Sequence, residues 1–399
     1  MVRQTFDRHQ RISRVLRRLR RWAGEGMPHA FPVVAMEFIP EGSHFFQLLF
    51  NALDAAHSSI CLEYYKIRAD QTGLRLADTL LAACQRGVKV YLVYDYIGCL
   101  DTPESYFRTL RQHGVRCIAF NPPSFRRGIR WFDRRDHRKL AIIDGTVAFL
   151  GGRNIGNEYA GVSGDSPLFY DVGFSVSGPS VAYLGHLFTE VWAMEQGLPP
   201  YLQPAPVAIS STPPVENSAN IALISGGPHQ RRSVIRSAFR VAMATASSEL
   251  LIANPYFLPG PLILRSLLRA CRRGVHVRLL LSAESDVPII RLLSRGTYEQ
   301  LLNAGVEIYE MQEQLLHAKL MLIDGSRTVI GSANLDQRSF HRNYEINAHI
   351  QCQVFSSQVR THLLQDFDRA RRITLASHGQ RGRAERLVER LLRPLCWFL

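Results

Sequence analysis

Apolar positions along this chain alternate between two spacings. Between Gly42 and Ala56, the residues Phe45, Leu48, Leu49, Leu53 and Ala56 fall three and four apart, which predicts a helix with one inward stripe. Short apolar runs at Ser59 to Tyr65, Val88 to Asp95 and Val115 to Phe120 predict strands, and Leu74 to Gln85 and Ser105 to Arg111 predict helices between them. The helices close at Arg86-Gly87 and His113-Gly114, where glycine permits the left-handed turn that ends a helix. A further strand is predicted at Asp171 to Val176 and a helix at Val181 to Trp192. Helix and apolar strand in alternation predict an α/β layer covered on both faces.

The second half repeats this order, with helices at Ser233 to Ala246 and Ile263 to Arg272 and strands at Leu250 to Ala253 and Val275 to Leu281. Ala82 aligns with Arg269, His113 with Ala304 and His137 with His317, at offsets of 187, 191 and 180 positions. Such spacing predicts a duplicated domain with unequal loops. The organisation expected is a basic amphipathic segment over 1–36, a first domain over 37–196, a linker over 197–219, a second domain over 220–375 and a C-terminal amphipathic helix over 376–399. Six prolines between Gly197 and Pro214 disfavour regular structure and mark the linker.

Composition narrows the partners. The 399 residues carry a formal net charge of +14, which favours anionic surfaces. Eight arginines by Arg21 surround an apolar stripe of Ile12, Val15, Leu16, Leu19 and Trp22. Near the other end, Leu387, Val388, Leu391, Leu392 and Leu395 form a stripe flanked by Arg383, Arg386, Arg390 and Arg393. Both patterns suit helices lying in a lipid interface; they equally suit a solvated helix covering the first domain at the N-terminal end and a helix docked on the protein at the C-terminal end. No run of 18 or more apolar residues occurs, so no spanning helix is expected and membrane contact should be peripheral. The aromatics form no repeated set for base stacking, so nucleic acid is not an expected partner. Seven scattered cysteines have neither disulfide-framework nor metal-finger spacing.

The chemistry lies in a stretch present twice. His137, Lys139 and Asp144 recur as His317, Lys319 and Asp324, each set followed by a Gly-rich turn and an asparagine, Asn154 or Asn334. In a strand, His and Lys two apart share a face. Two imidazoles and two ammonium groups suit an anionic phosphodiester attacked from one side and left from the other. No cofactor and no metal are expected. The aspartates, five residues beyond the lysines, are counted with the catalytic set but are better placed to steer the histidines or the turn than to attack.

These paired motifs, with Gly151, Gly152, Gly156 and Tyr159 after the first and Gly331, Asp336, Arg338, Ser339 and Asn343 after the second, resemble the phospholipase D superfamily over residues 37 to 370. Within it the chain looks like the bacterial cardiolipin synthases, most like the B type without transmembrane helices. The resemblance implies two phospholipase D-like domains, each a mixed sheet flanked by helices, about a pseudo-two-fold axis. It implies ping-pong transfer of a phosphatidyl group between two phosphatidylglycerol molecules, with His137 as nucleophile and His317 as acid and base. Lys139, Lys319, Asn154 and Asn334 would hold the nonbridging oxygens. Substrate contacts are further expected at Glu63, Glu158, Ser332 and Glu345, and at Arg134 in the basic stretch that includes Arg126, Arg127, Arg130 and Arg135. The expected location is the face of a bacterial cytoplasmic membrane, with phosphatidylglycerol and other anionic phospholipids as partners. The alternative is a phosphodiesterase that hydrolyses phospholipid or nucleic acid.

Overall fold

The computed structural model describes residues 30–124, 130–164, 167–196, 219–228, 230 and 233–392. The N-terminal basic stripe, Arg126 and Arg127, the proline-rich stretch 197–218 and residues 393–399 lie outside the described residues, as do the side chains of Arg130, Arg383 and Arg390.

Two sheets carry the fold. The first runs Ala35–Ile39, Gly173–Ser177, Val147–Gly151, Lys139–Ile143, Ser59–Tyr64, Lys89–Asp95, Arg116–Phe120. The second repeats that order with Asn220–Gly226, Asn343–Gln351, Arg327–Gly331, Leu320–Ile323, Glu249–Ala253, His276–Ser282 and Glu307–Met311. It gains Phe31–Pro32 at one edge and Arg371–Ile373 at the other. In each sheet the last three strands of the shared order are parallel and the rest antiparallel, so both are mixed. The duplicated α/β architecture read from the repeat is therefore the architecture observed. The boundary expected at residue 37 needs correction: Ala35–Ile39 is one strand of the first sheet, and Phe31–Pro32 pairs with the second half.

The core is built in layers. One apolar cluster lies between the sheets and takes in Val181, Leu184, Phe188 and Trp192 of helix Ser180–Gln196 and Phe355, Val359, Leu363 and Phe367 of helix Gln353–Arg369. A second cluster packs helices Gly42–Asp54 and Gln71–Gln85 on the outer face of the first sheet, and a third packs helices Val234–Thr245 and Gly260–Arg272 on that of the second. The helix ends repeat in detail. Arg86 donates to Leu53 O (3.1 Å) and Arg273 to Met243 O (2.7 Å), and the glycines that follow have φ of 86° and 84°. Each arginine ties the end of its helix to the preceding one.

Candidate active site

Each His-x-Lys motif changes sheets as it passes through the histidine. Arg135–Asp136 pairs in parallel with Asn343–Tyr344 of the second half, whereas Lys139–Ile143 belongs to the first sheet. Leu315–Leu316 pairs in parallel with Phe169–Tyr170 of the first half, whereas Leu320–Ile323 belongs to the second sheet. The expectation of one continuous strand through His-x-Lys is thereby corrected, because the chain exchanges hydrogen-bonding partners at that point. Both histidines consequently sit on the seam between the halves.

The exchange clamps each histidine from the opposite half. His137 N donates to Tyr344 O (2.9 Å) and His317 N to Tyr170 O (2.7 Å). The next residue supplies a carboxylate in both cases. His137 Nδ1 donates to Glu345 Oε2 (3.1 Å), and His317 Nδ1 donates to Asp171 Oδ2 (2.6 Å). Glu345 and Asp171 are equivalent by register, each lying two residues before the partner of Gly331 or Gly151. With Nδ1 committed to a carboxylate, Nε2 of each imidazole carries the lone pair that attacks phosphorus or takes a proton.

All of these groups are buried, and burial sets their charge. It lowers the pKa of His137 and takes His317 to about 4, where Lys319 adds to the effect, so both imidazoles are neutral at pH 7. Each histidine also feels the lysine of the other motif, which puts both motifs in one electrostatic centre. Lys139 is brought down to about 7 by burial, and Lys319 is lowered for the same reason. Burial pushes Asp171 upward, but Lys319 and His317 outweigh it and hold the carboxyl below its usual value. Glu345 is likewise held down, against burial, chiefly by His137. A phosphodiester anion entering the centre would raise the lysine and imidazole values together.

Lys139 Nζ donates to the carbonyl of His137 (2.6 Å), and Lys319 Nζ donates to that of His317. The asparagines differ. Asn154 accepts from Lys66 N (3.2 Å) and donates to Tyr159 Oη (2.9 Å), while Asn334 Oδ1 is buried without a partner. Ser332 donates to Glu345 (2.5 Å), placing it behind His137 as support for the clamp. Glu158 is ion-paired with Arg68 (2.6 Å). Arg134 is half-buried, and its carbonyl accepts from Asn121 (2.9 Å).

Three expected roles need correction. Glu63 is fully buried against Arg138 (3.4 Å) and faces Asp136, so it supports the first motif from within the sheet and is closed to substrate. Asp144 and Asp324 stand at the far ends of the motif strands. A strand advances about 3.3 Å per residue, so five residues carry them well away from the histidines. There they take φ of 51° and 52° and accept from loop N–H groups, Asp144 from His57, Ser58 and Ser59 and Asp324 from Ser247, Ser248 and Glu249. These bonds hold each carboxylate below its usual pKa despite partial burial.

Asp171 is one of the positions that carry the family resemblance, but its role as a clamp, like that of the two tyrosine carbonyls, is what a search for His-x-Lys motifs passes over. Their signal is a Tyr-acid dipeptide present in both halves, Tyr170-Asp171 and Tyr344-Glu345. The approach to His137 is braced further by Arg135, which pairs with buried Asp95 at 3.0 Å while Asp136 N donates to the same carboxylate (2.8 Å).

Residues 49–168 and 240–369 match the family described as "Cardiolipin synthase, PLD-like domain". The chain is 33% identical over 401 residues to a cardiolipin synthase of Geobacillus sp. (strain WCH70), covering 94% of this chain and 79% of that one. It is 34% identical over 370 residues to cardiolipin synthase A of Pseudomonas entomophila, covering 90% and 74%. Among solved structures, the fold is similar to that of phosphatidylserine synthase from Haemophilus influenzae, with a TM-score of 0.73, 11% identity and 97% and 98% of the two chains covered. Matched in both halves and along nearly its whole length, the chain belongs to the cardiolipin synthase, PLD-like domain family and is a phosphotransferase or hydrolase of the phospholipase D superfamily.

Proposed function

We propose that this protein is a cardiolipin synthase of the B type, acting on two phosphatidylglycerol molecules at the face of a bacterial cytoplasmic membrane. The bound phosphodiester anion draws a proton from solvent onto His317 Nε2; His137 Nε2 then attacks the phosphorus of the first lipid, and the bond to the glycerol oxygen breaks as His317 gives that oxygen this proton. His317, now neutral, takes the proton of a terminal hydroxyl on the second lipid. The freed oxygen attacks phosphorus, the phosphohistidine bond breaks, and cardiolipin leaves. Lys139, Lys319 and Asn334 stabilise charge on the nonbridging oxygens during both transfers.

The observation that carries this reading is the crossed pair of histidine clamps, His137 with Glu345 and His317 with Asp171, which gives two neutral imidazoles with free Nε2 atoms in one buried centre. Cardiolipin synthases as sequence relatives support the lipid class. Peripheral attachment is supported by exposed apolar side chains on the loops and first helical turns beyond the cleft-facing strand ends, Leu74, Leu100 and Phe132, and on the C-terminal helix, Leu387, Val388 and Leu391. Among the described residues no helix is long and apolar enough to cross a membrane.

The test is purified protein in defined vesicles with headgroup-labelled phosphatidylglycerol. Cardiolipin with free glycerol is the expected result. Phosphatidic acid as the sole lipid product, even at high acceptor density, would assign hydrolysis instead.

A further inference from the structure

Beside the second motif the molecule has a groove that the chemistry above does not use. It has a volume of about 400 Å³, and its walls include Leu258, Pro261, Leu264, Leu268 and Leu293, with Gln337 at one end. Volumes of this size are within the range of ligand-binding clefts. Two hydrogen bonds place it against the reaction centre. Leu335 N donates to Asn254 Oδ1 (3.1 Å), and Leu258 N donates to Leu335 O (3.1 Å), so the loop that forms the groove wall runs alongside the segment that bears Asn334. Asn254 follows Ala253, whose cross-strand partner is Leu320, and so lies level with Lys319.

The groove thus lies beside the segment that bears Asn334, reached through Gln337 three residues further on, and its lining includes the exposed Arg265. We infer that it seats an acyl chain of the phospholipid whose phosphate lies between the two motifs. This rests on the phospholipid reading above and adds the site that holds the tail. Its place next to the segment that bears Asn334 favours a chain covalently joined to the reacting phosphate, and the exposed arginine suits the anionic headgroup of a neighbouring lipid.

The experiment uses the full chain and two phosphatidylglycerols, a dihexanoyl form kept monomeric and a dioleoyl form in mixed micelles. Leu264→Trp and Thr297→Trp narrow the groove from partly exposed positions, and a thermal melt confirms that each variant folds. The expected result is a loss of about tenfold in kcat/KM on the dioleoyl lipid, carried by KM, with the dihexanoyl rate within about twofold of wild type. Equal losses on both lipids, or an unchanged ratio between them in both variants, would overturn the inference. Phosphatidylglycerol with a diazirine at the acyl terminus should label peptides that contain residues 258–268 or 293–300. Label confined to other surfaces, or to 393–399 with the groove unlabelled, would also overturn it. Wild-type protein that makes only phosphatidic acid would remove the transferase reading, while the ratio between the two lipids would still decide the groove.

Discussion

The two halves share one frame, yet what lies beneath their histidines differs. Glu63, Asp136 and Arg138 of the first half occupy the positions held in the second by Ala253, Leu316 and Ala318. Behind His137 there is a buried charged cluster, with Arg138 bonded to Glu63 (3.4 Å) and Ser225 (2.6 Å) and with both carboxyls raised by burial. Behind His317 the same space is apolar. The carboxylates differ as well. Glu345 accepts from Ser332, Ser339 and Asn343 besides His137, whereas Asp171 stands against Gly152, where a Cβ would lie 2.5 Å from its Oδ1. A symmetric fold therefore gives its two imidazoles unequal surroundings, which suits the unequal roles proposed for them.

The largest expected effect tests that inequality directly. His137→Ala and His317→Ala should each lower turnover by about 10³-fold or more, but trapped lipid label should vanish only with His137→Ala. Label kept by His137→Ala and lost by His317→Ala would exchange their roles. Glu345→Gln and Asp171→Asn should each cost about 10²-fold or more by freeing the imidazole to turn. The pairing predicts which losses overlap. Glu345→Gln should add little to His137→Ala, and Asp171→Asn little to His317→Ala, as double-mutant kinetics would measure.

Stability separates the halves next. Arg138→Met alone strands two buried carboxyls and should cost about 3–5 kcal/mol in urea unfolding. Importing the second half's residues together, Glu63→Ala, Asp136→Leu and Arg138→Ala, should recover most of that loss. Failure to recover it would mean that the cluster does more than fill space.

A pH profile sharpens the comparison further. Lys139 titrates near 7, so it is charged below that value and neutral above it. The kcat/KM profile should fall as pH rises past about 7, and the kcat limb should lie higher because bound phosphodiester retains the proton. Lys139→Arg, which stays charged, should flatten the limb at reduced activity. The smallest effect belongs to the turns. The pKa of Asp324 is lowered to about 2, so its stabilisation is present above about pH 4 and is lost as pH falls towards 2. With the group partly buried in a surface turn and still screened by solvent, Asp324→Asn should cost about 1 kcal/mol at neutral pH, measured by thermal melting, and leave kcat unchanged.

The duplication was legible because its punctuation repeats: Arg86-Gly87 and Arg273-Gly274 end equivalent helices before equivalent strands, and glycine at positive φ is a local requirement that sequence displays. His137 and His317 were legible as polar groups entering apolar strands. Their clamps were not, since a strand's period tells which face a residue takes and nothing of which sheet it joins. Tyr170-Asp171 lies at the end of a two-residue strand just before Gly173–Ser177, and Glu345 was read as a substrate contact because the partner that defines its role, His137, is 208 residues away. Asp144 misled for the opposite reason. Its constant spacing from Lys139 reflects a left-handed turn, and a structural position can repeat as faithfully as a chemical one.

The crossed clamp also governs when the protein becomes reactive. His137 and its carboxylate are 208 residues apart in sequence. During synthesis the first half emerges with its histidine while Glu345 is still untranslated, and domains generally fold in that order as they emerge. Until the second half docks, neither imidazole is held, and the growing chain cannot cut the lipid surface its basic residues attract. Activity begins only with a finished molecule.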